Sequence, residues 1–96
     1  MSAINRTIHP LPRLSICAVL ASTTDWTEFR TVRELTELTD SMLSKHSQAL
    51  ADADYLEIHK GAIGRRPRTW LRITPHGRQA YQAHLTALAE LTGQEA

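Results

Sequence analysis

A single cysteine, Cys17, leaves the chain without an internal disulfide, a usage that fits a reducing compartment and makes the cytoplasm the expected location. Long apolar runs are missing too. The stretch 14–21 falls well short of the roughly 20 residues needed to cross a bilayer, so no membrane partner is expected. The polar Ser22, Thr23, Thr24 and Asp25 that follow it do not form a signal-cleavage region. With 96 residues, the chain suits one domain, 1–96, whose small core would gain from a partner subunit. Its expected frayed ends are 1–6 and 92–96. The most informative absence is local. Residues 58–89 contain no acidic side chain, while Lys60, Arg65, Arg66, Arg68, Arg72 and Arg78 give them +6 in a chain of formal net charge +1. Residues 25–57 carry −5, so the basic charge is segregated, and segregation of this kind marks a surface that meets a polyanion.

Strand-like alternation flanks these arginines. In 55–60, Leu56 and Ile58 alternate with Tyr55, Glu57 and His59; in 69–74, Leu71 and Ile73 alternate with Trp70 and Arg72. The pattern predicts a β-hairpin over about 55–74. Its long basic tip, 61–68, carries Arg65, Arg66 and Arg68 beside the stiffening Pro67, placed for phosphate contact.

Helical spacing surrounds the hairpin. A first helix runs from Pro12 to about Ser22, with apolar residues on more than one face and Cys17 in their register as an inert buried thiol. After a connector at 26–29, the three-residue recurrence of Phe29, Val32, Leu35 and Leu38 predicts a short second helix ending near Glu37. Arg30, Arg33 and Glu34 would lie on its outside. Thr39, Asp40 and Ser41 offer acceptors to the start of a third helix, about 40–53, which continues through Leu43, His46, Leu50 and Ala53. Together these two form a helix-turn-helix. The exposed face of the third helix carries Ser41, Met42, Ser44, Lys45 and Gln48, small or hydrogen-bonding side chains suited to a major groove. Thr74 and Pro75 then open a fourth helix, about 75–91, that stops before Gly93. Its stripe of Ala80, Tyr81, His84, Leu85, Leu88 and Leu91 extends roughly 25 Å, more than this core needs. Dimerisation through Tyr81, His84, Leu85, Leu88 and Leu91 is therefore expected.

The order helix, short strand, helix, helix, two-stranded wing, long helix resembles the winged-helix transcriptional regulators of the MarR and ArsR kind, and within them the compact single-domain members. The residues that carry the resemblance are Phe29-x-x-Val32, Leu38-Thr39-Asp40-x-x-Leu43-Ser44-Lys45-His46, and the run from Arg65 to Thr74 followed by Pro75-x-Gly77-Arg78. It spans about residues 8–91 and implies an α+β, mainly α fold: a winged helix-turn-helix with a long C-terminal dimerisation helix. It further implies a homodimeric, sequence-specific regulator of double-stranded DNA, a repressor, with no cofactor. Ser41, Ser44, Lys45 and Gln48 would enter the major groove. Arg65, Arg66 and Arg68, flanked by Lys60 and Arg72, would meet the backbone or minor groove. Three departures stand out. Glu37 occupies the turn position where the family commonly has glycine, and Asp54 the position where glycine usually precedes the aromatic opening the wing, which implies positive φ at both. Ser47 replaces a usual leucine, removing apolar burial under the third helix.

Other chemistries find little support. No acidic residue or histidine lies three or four positions from His46, His76 or His84, so a helical metal pair is not expected; Glu57 and His59 share a strand face but are too few for a structural site. His46 is expected to brace the helix-turn-helix, and His84 the fourth-helix interface. No serine elbow, phosphate loop or carboxylate pair accompanies them, so no catalysis and no metal are expected. Trp26 and Trp70 are expected to pack in the core or an interface. The competing class is a winged-helix protein-docking module, favoured by Asp40, Asp52 and Asp54, which would repel phosphate if they faced DNA.

Overall fold

The computed structural model describes residues 3–93. In chain order the elements are α1 (Leu11–Leu20), β1 (Thr27–Glu28), α2 (Phe29–Thr36), α3 (Asp40–Asp52), β2 (Leu56–Ile63), β3 (Arg66–Ile73) and α4 (Pro75–Thr92). Four helices thus pack with a small antiparallel sheet of order β1-β3-β2. The expected caps form: Thr39 Oγ1 accepts the Met42 N–H at 3.1 Å and Thr74 Oγ1 accepts the Gly77 N–H at 2.8 Å. Proline follows Thr74 at the first helical position, where its missing N–H costs nothing. α1 lies centrally, burying Ile16, Cys17 and Leu20 against Val32 of α2, Leu43 and Leu50 of α3, and Leu56, Leu71 and Ile73 of the sheet. Burial pushes the Cys17 thiol up to about 12, so it stays protonated and inert.

Four sequence expectations are corrected. The hairpin has no long tip: pairing continues from Leu56↔Ile73 to Ile63↔Arg66, leaving only Gly64 and Arg65 in the turn. Gly64 supplies φ of 60° at the first turn position, which a two-residue hairpin turn requires. Pro67 is tolerated in β3 because β1 pairs only with Trp70 and Leu71, leaving one side of β3 unpaired at that point. Leu35 does not join the buried stripe and is 65% exposed. A three-residue spacing falls short of a 3.6-residue turn, so the stripe winds around α2 and carries Leu35 to the solvent side.

The third correction concerns the ends expected to fray: Asn5 is tied down, and Thr92 and Gly93 complete and cap α4, while residues 1–2 and 94–96 lie outside those described. Asn5 Oδ1 accepts the N–H groups of Thr7 and Ile8 at 3.0 Å, its Nδ2 donates to the Tyr55 hydroxyl at 3.0 Å, and its backbone N–H donates to His84 Nδ1 at 3.1 Å. Ile8, next along this strap, is fully buried. The fourth follows from it: His84 is enclosed within the chain, with 0% exposure and the His9 ring edge-on at 5.3 Å, and does not lie on a free helix face.

Burial, and then the neighbouring His9, hold the His84 pKa below its ordinary value. In the unfolded chain it returns to about 6.5. As pH falls, the unfolded chain takes up the proton first, so this contribution to stability is complete above about 6.5 and is lost toward the lower folded pKa. His46, lowered by burial and then by Arg13 and Lys45, acts in the same direction. Thermal melts should therefore show Tm falling between about pH 7 and about pH 5, with a shallower fall in His84→Gln; an equal fall would remove His84 from the effect.

Glu37 and Asp54 both adopt left-handed backbone, at φ of 58° and 61°. Asp reaches this region more readily than Glu. Glu37→Gly should accordingly raise stability by about 1 kcal/mol in urea unfolding, and Asp54→Gly by less. A loss of stability in Glu37→Gly would show that the glutamate side chain compensates the strain.

Candidate nucleic-acid interface

Ser41, Ser44, Lys45 and Gln48 are all exposed on α3, at the three- and four-residue spacing that gathers them on one helix face. The Gln48 amide is held in place by donating to Asp52 at 2.8 Å. Across from this face stands the inner side of the hairpin. There Ser44 and Gln48 share a cleft of about 320 Å³ with Lys60 of β2 and Thr69 of β3, floored by Ile58 and Leu71. Asp40 borders it, but its carboxylate accepts from Arg33 at 2.7 Å. Ser47 lies beneath, 1% exposed, and its hydroxyl has no hydrogen-bond partner among the described residues. The helix is braced from behind: Arg13 Nε on α1 donates to His46 Nδ1 at 3.1 Å. Burial, then Arg13 and Lys45, hold the His46 pKa down and favour the neutral, accepting ring. Among the described residues no group of three or more histidine, cysteine or acidic side chains is arranged to hold a metal.

The family described as "Winged helix DNA-binding domain" matches residues 12–92. The chain belongs to this family. An uncharacterized protein of Methanocaldococcus jannaschii is 30% identical over 80 residues, which cover 83% of this chain and 86% of that relative. A solved structure, of a transcriptional regulator homologue from Pyrococcus horikoshii, superposes with a TM-score of 0.83 over 93% of this chain and 87% of its own, at 24% identity, a likeness of fold. In this winged-helix DNA-binding domain, α2 and α3 form the helix-turn-helix and β2 and β3 the wing.

The six cations at 60–78 do not share one surface. Arg78 is structural: its guanidinium donates to the Ala21 carbonyl at 2.7 Å and the Thr23 carbonyl at 2.9 Å, closing the C-terminal end of α1. Arg68 and Arg72 point away from α3 on the outer face of the sheet, paired with Glu28 at 3.2 Å and Glu57 at 3.1 Å. Lys60 faces the inner cleft, Arg65 occupies the wing turn and Arg66 adjoins it. Among the described residues Lys45, Lys60, Arg65 and Arg66 make no ion pair. The winged-helix frame therefore gathers Ser41, Ser44, Lys45, Gln48 and Lys60 on one side, with Arg65 and Arg66 at the wing end, and leaves Arg68 and Arg72 behind.

On α4, Tyr81 is half-buried against the core, Leu88 is half-buried, and Leu85 and Leu91 are exposed. Leu11, which no sequence pattern singled out, is 74% exposed at the start of α1. The strap residues Asn5, Ile8 and His9 carried no sequence signal either, because their partners Tyr55 and His84 lie far along the chain. Trp26 and Trp70, expected in the core or an interface, are found on the outer sheet face. That position follows from the register, since Leu71 and Ile73 take the inner one.

Proposed function

We propose that the chain is a sequence-specific, double-stranded DNA-binding transcriptional regulator that works as a homodimer and represses by occupying its operator. The observation that carries this reading is the juxtaposition of α3 and the wing. A hydrogen-bonding face of Ser41, Ser44, Lys45 and Gln48 stands beside Lys60 and ends in the unpaired Arg65 and Arg66. Membership in a DNA-binding family and the likeness to the Pyrococcus horikoshii transcriptional regulator homologue support regulation as the purpose. α3 enters the major groove, Ser44 and Gln48 reach base edges, and Lys60, Arg65 and Arg66 meet the flanking phosphates. The exposed apolar side chains Leu85 and Leu91 on α4, with Leu11 on α1, support a two-fold contact along α4. Such a dimer reads a roughly palindromic site with half-sites about one helical turn apart. The docking-module reading keeps only part of its support, because Asp40, one of the three aspartates that favoured it, is paired with Arg33 at 2.7 Å within the chain.

The test is selection from a random duplex pool followed by fluorescence anisotropy on the enriched sequence. Gln48→Ala should relax preference at one position of each half-site, at a cost of about 1–3 kcal/mol for the preferred base. An affinity loss equal on all duplexes would remove Gln48 from base reading. No duplex binding even at low salt would overturn the proposal.

A further inference from the structure

Both tryptophans of the chain sit on a face of which the duplex-binding reading uses only Arg66, at the wing end. Leu71 and Ile73 point into the core, so Arg66, Arg68, Trp70 and Arg72 along the same strand point outward. His59 stands opposite Trp70 in the register, its ring 5.5 Å from the Trp70 ring and 5.8 Å from that of Trp26. The three rings line a cleft of about 330 Å³. Gly61 leaves the Trp70 ring room beside β2, since a Cβ there would come within 3.2 Å of it. Trp26 remains 38% exposed and Trp70 is only half-buried. Two of the chain's five Phe, Tyr and Trp residues meet here, and with the His59 ring they form a solvent-facing aromatic surface.

The charges beside the rings define what fits there. Successive outward side chains of β3 lie about 7 Å apart, so Arg66, Arg68, Trp70 and Arg72 form a row of cations with an aromatic ring set into it. Arg72 lies 4.2 Å over the Trp26 ring and shows that these indole faces accept a flat, delocalised group. Glu28 and Glu57 hold Arg68 and Arg72, but those pairs are partly exposed, and such pairs are weak enough to exchange for a phosphate. We propose that this outer face is a second nucleic-acid surface, one that takes unpaired nucleotides: bases stack on Trp26, His59 and Trp70 while Arg66, Arg68 and Arg72 hold the strand's phosphates. Unpaired bases are specified because a duplex keeps its base faces stacked inside, whereas a single strand can lay them on aromatic rings. The site shares only Arg66, at the wing end, with the duplex reading; its rings, Arg68 and Arg72 lie on the opposite side of the sheet from α3, so the two surfaces are tested separately.

Because both tryptophans lie in the patch, intrinsic fluorescence reports on it directly. Titration with a short thymidine oligonucleotide at low salt should give saturable quenching. Trp70→Ala should weaken that binding about tenfold or more, while Trp70→Phe, which keeps a ring and the packing around it, retains most of it. Circular dichroism melts of both variants separate stacking from misfolding. The double variant Ser44→Ala, Gln48→Ala should leave oligonucleotide binding unchanged. Absence of quenching would overturn the proposal, as would binding lost in the α3 variant but kept in Trp70→Ala. Equal binding of polyglutamate would do so as well, by assigning the face to acidic protein. Failure of duplex binding, read separately by anisotropy, would count against the regulator reading and leave this result standing.

Discussion

Gly77→Ala is expected to destabilise the protein by about 3 kcal/mol or more, the largest effect of a methyl group added at any of the chain's four glycines. A Cβ built on Gly77 would lie 2.1 Å from the Tyr55 carbonyl oxygen, 2.8 Å from its carbon and 2.9 Å from its Cα. These are backbone atoms and cannot swing aside as a side chain would. The Tyr55 carbonyl is also fixed by its own bond, accepting the Thr74 N–H at 2.9 Å, while the Thr74 hydroxyl donates chiefly to the neighbouring Asp54 carbonyl at 2.7 Å, with the Tyr55 carbonyl oxygen at 3.2 Å. That hydroxyl in turn caps α4 through the Gly77 N–H, so the start of the wing and the start of α4 are one hydrogen-bonded unit. Relief of the clash requires α4 to move off β2, which would break the cap and open the core at Leu56 and Ile73. Urea unfolding measures the effect; a loss below about 1 kcal/mol would mean that α4 slides without breaking the cap.

Each side of this junction was legible in the sequence because its signals are local, although the contact of Gly77 with Tyr55 was not. Thr74 and Pro75 announce a capped helix within two positions, and the alternation of Leu56, Leu71 and Ile73 marks the inner face of the sheet without help from outside. Glu37 and Asp54 were legible in another way, through their departure from a glycine pattern, and both do carry positive φ. What local signals could not show is which distant group claims a side chain. Residues 61–68, with the stiffening Pro67, read as a long tip, yet two-residue turn geometry at Gly64 extends the ladder through Gly61 and Pro67. Six cations looked like one patch along the chain, but Glu28 claims Arg68 from forty positions away and the Ala21 and Thr23 carbonyls claim Arg78 from more than fifty. The N-terminal strap was hidden for the same reason, since its meaning lies in His84, seventy-nine positions from Asn5. Strand parity did hold the answer for Trp70 and Arg72, whose alternation with core residues places them outward.

The sorting of the cations gives the second large effect. Replacing Lys60, Arg65 and Arg66 together with alanine should reduce the slope of log affinity against log salt by about 0.9 for each phosphate that is no longer neutralised. If all three touch phosphate, affinity at 0.1 M salt should fall by on the order of several hundredfold on every duplex, because counterion release carries no sequence information. Arg78→Ala is the matched control. Its guanidinium is engaged with the end of α1, so the variant should lose stability while leaving the salt slope of its folded fraction intact. Arg72→Ala should also leave the duplex slope unchanged, since that side chain lies behind the wing with Glu57 and Trp26. Anisotropy titrations across a salt series read all three variants in one format. A slope unmoved by the triple variant would take the wing off the duplex and leave recognition to α3. A slope lowered by about 0.9 in Arg72→Ala would mean that DNA wraps past the wing onto the outer face, and that charge along the chain, more than the face it points from, decides where DNA binds.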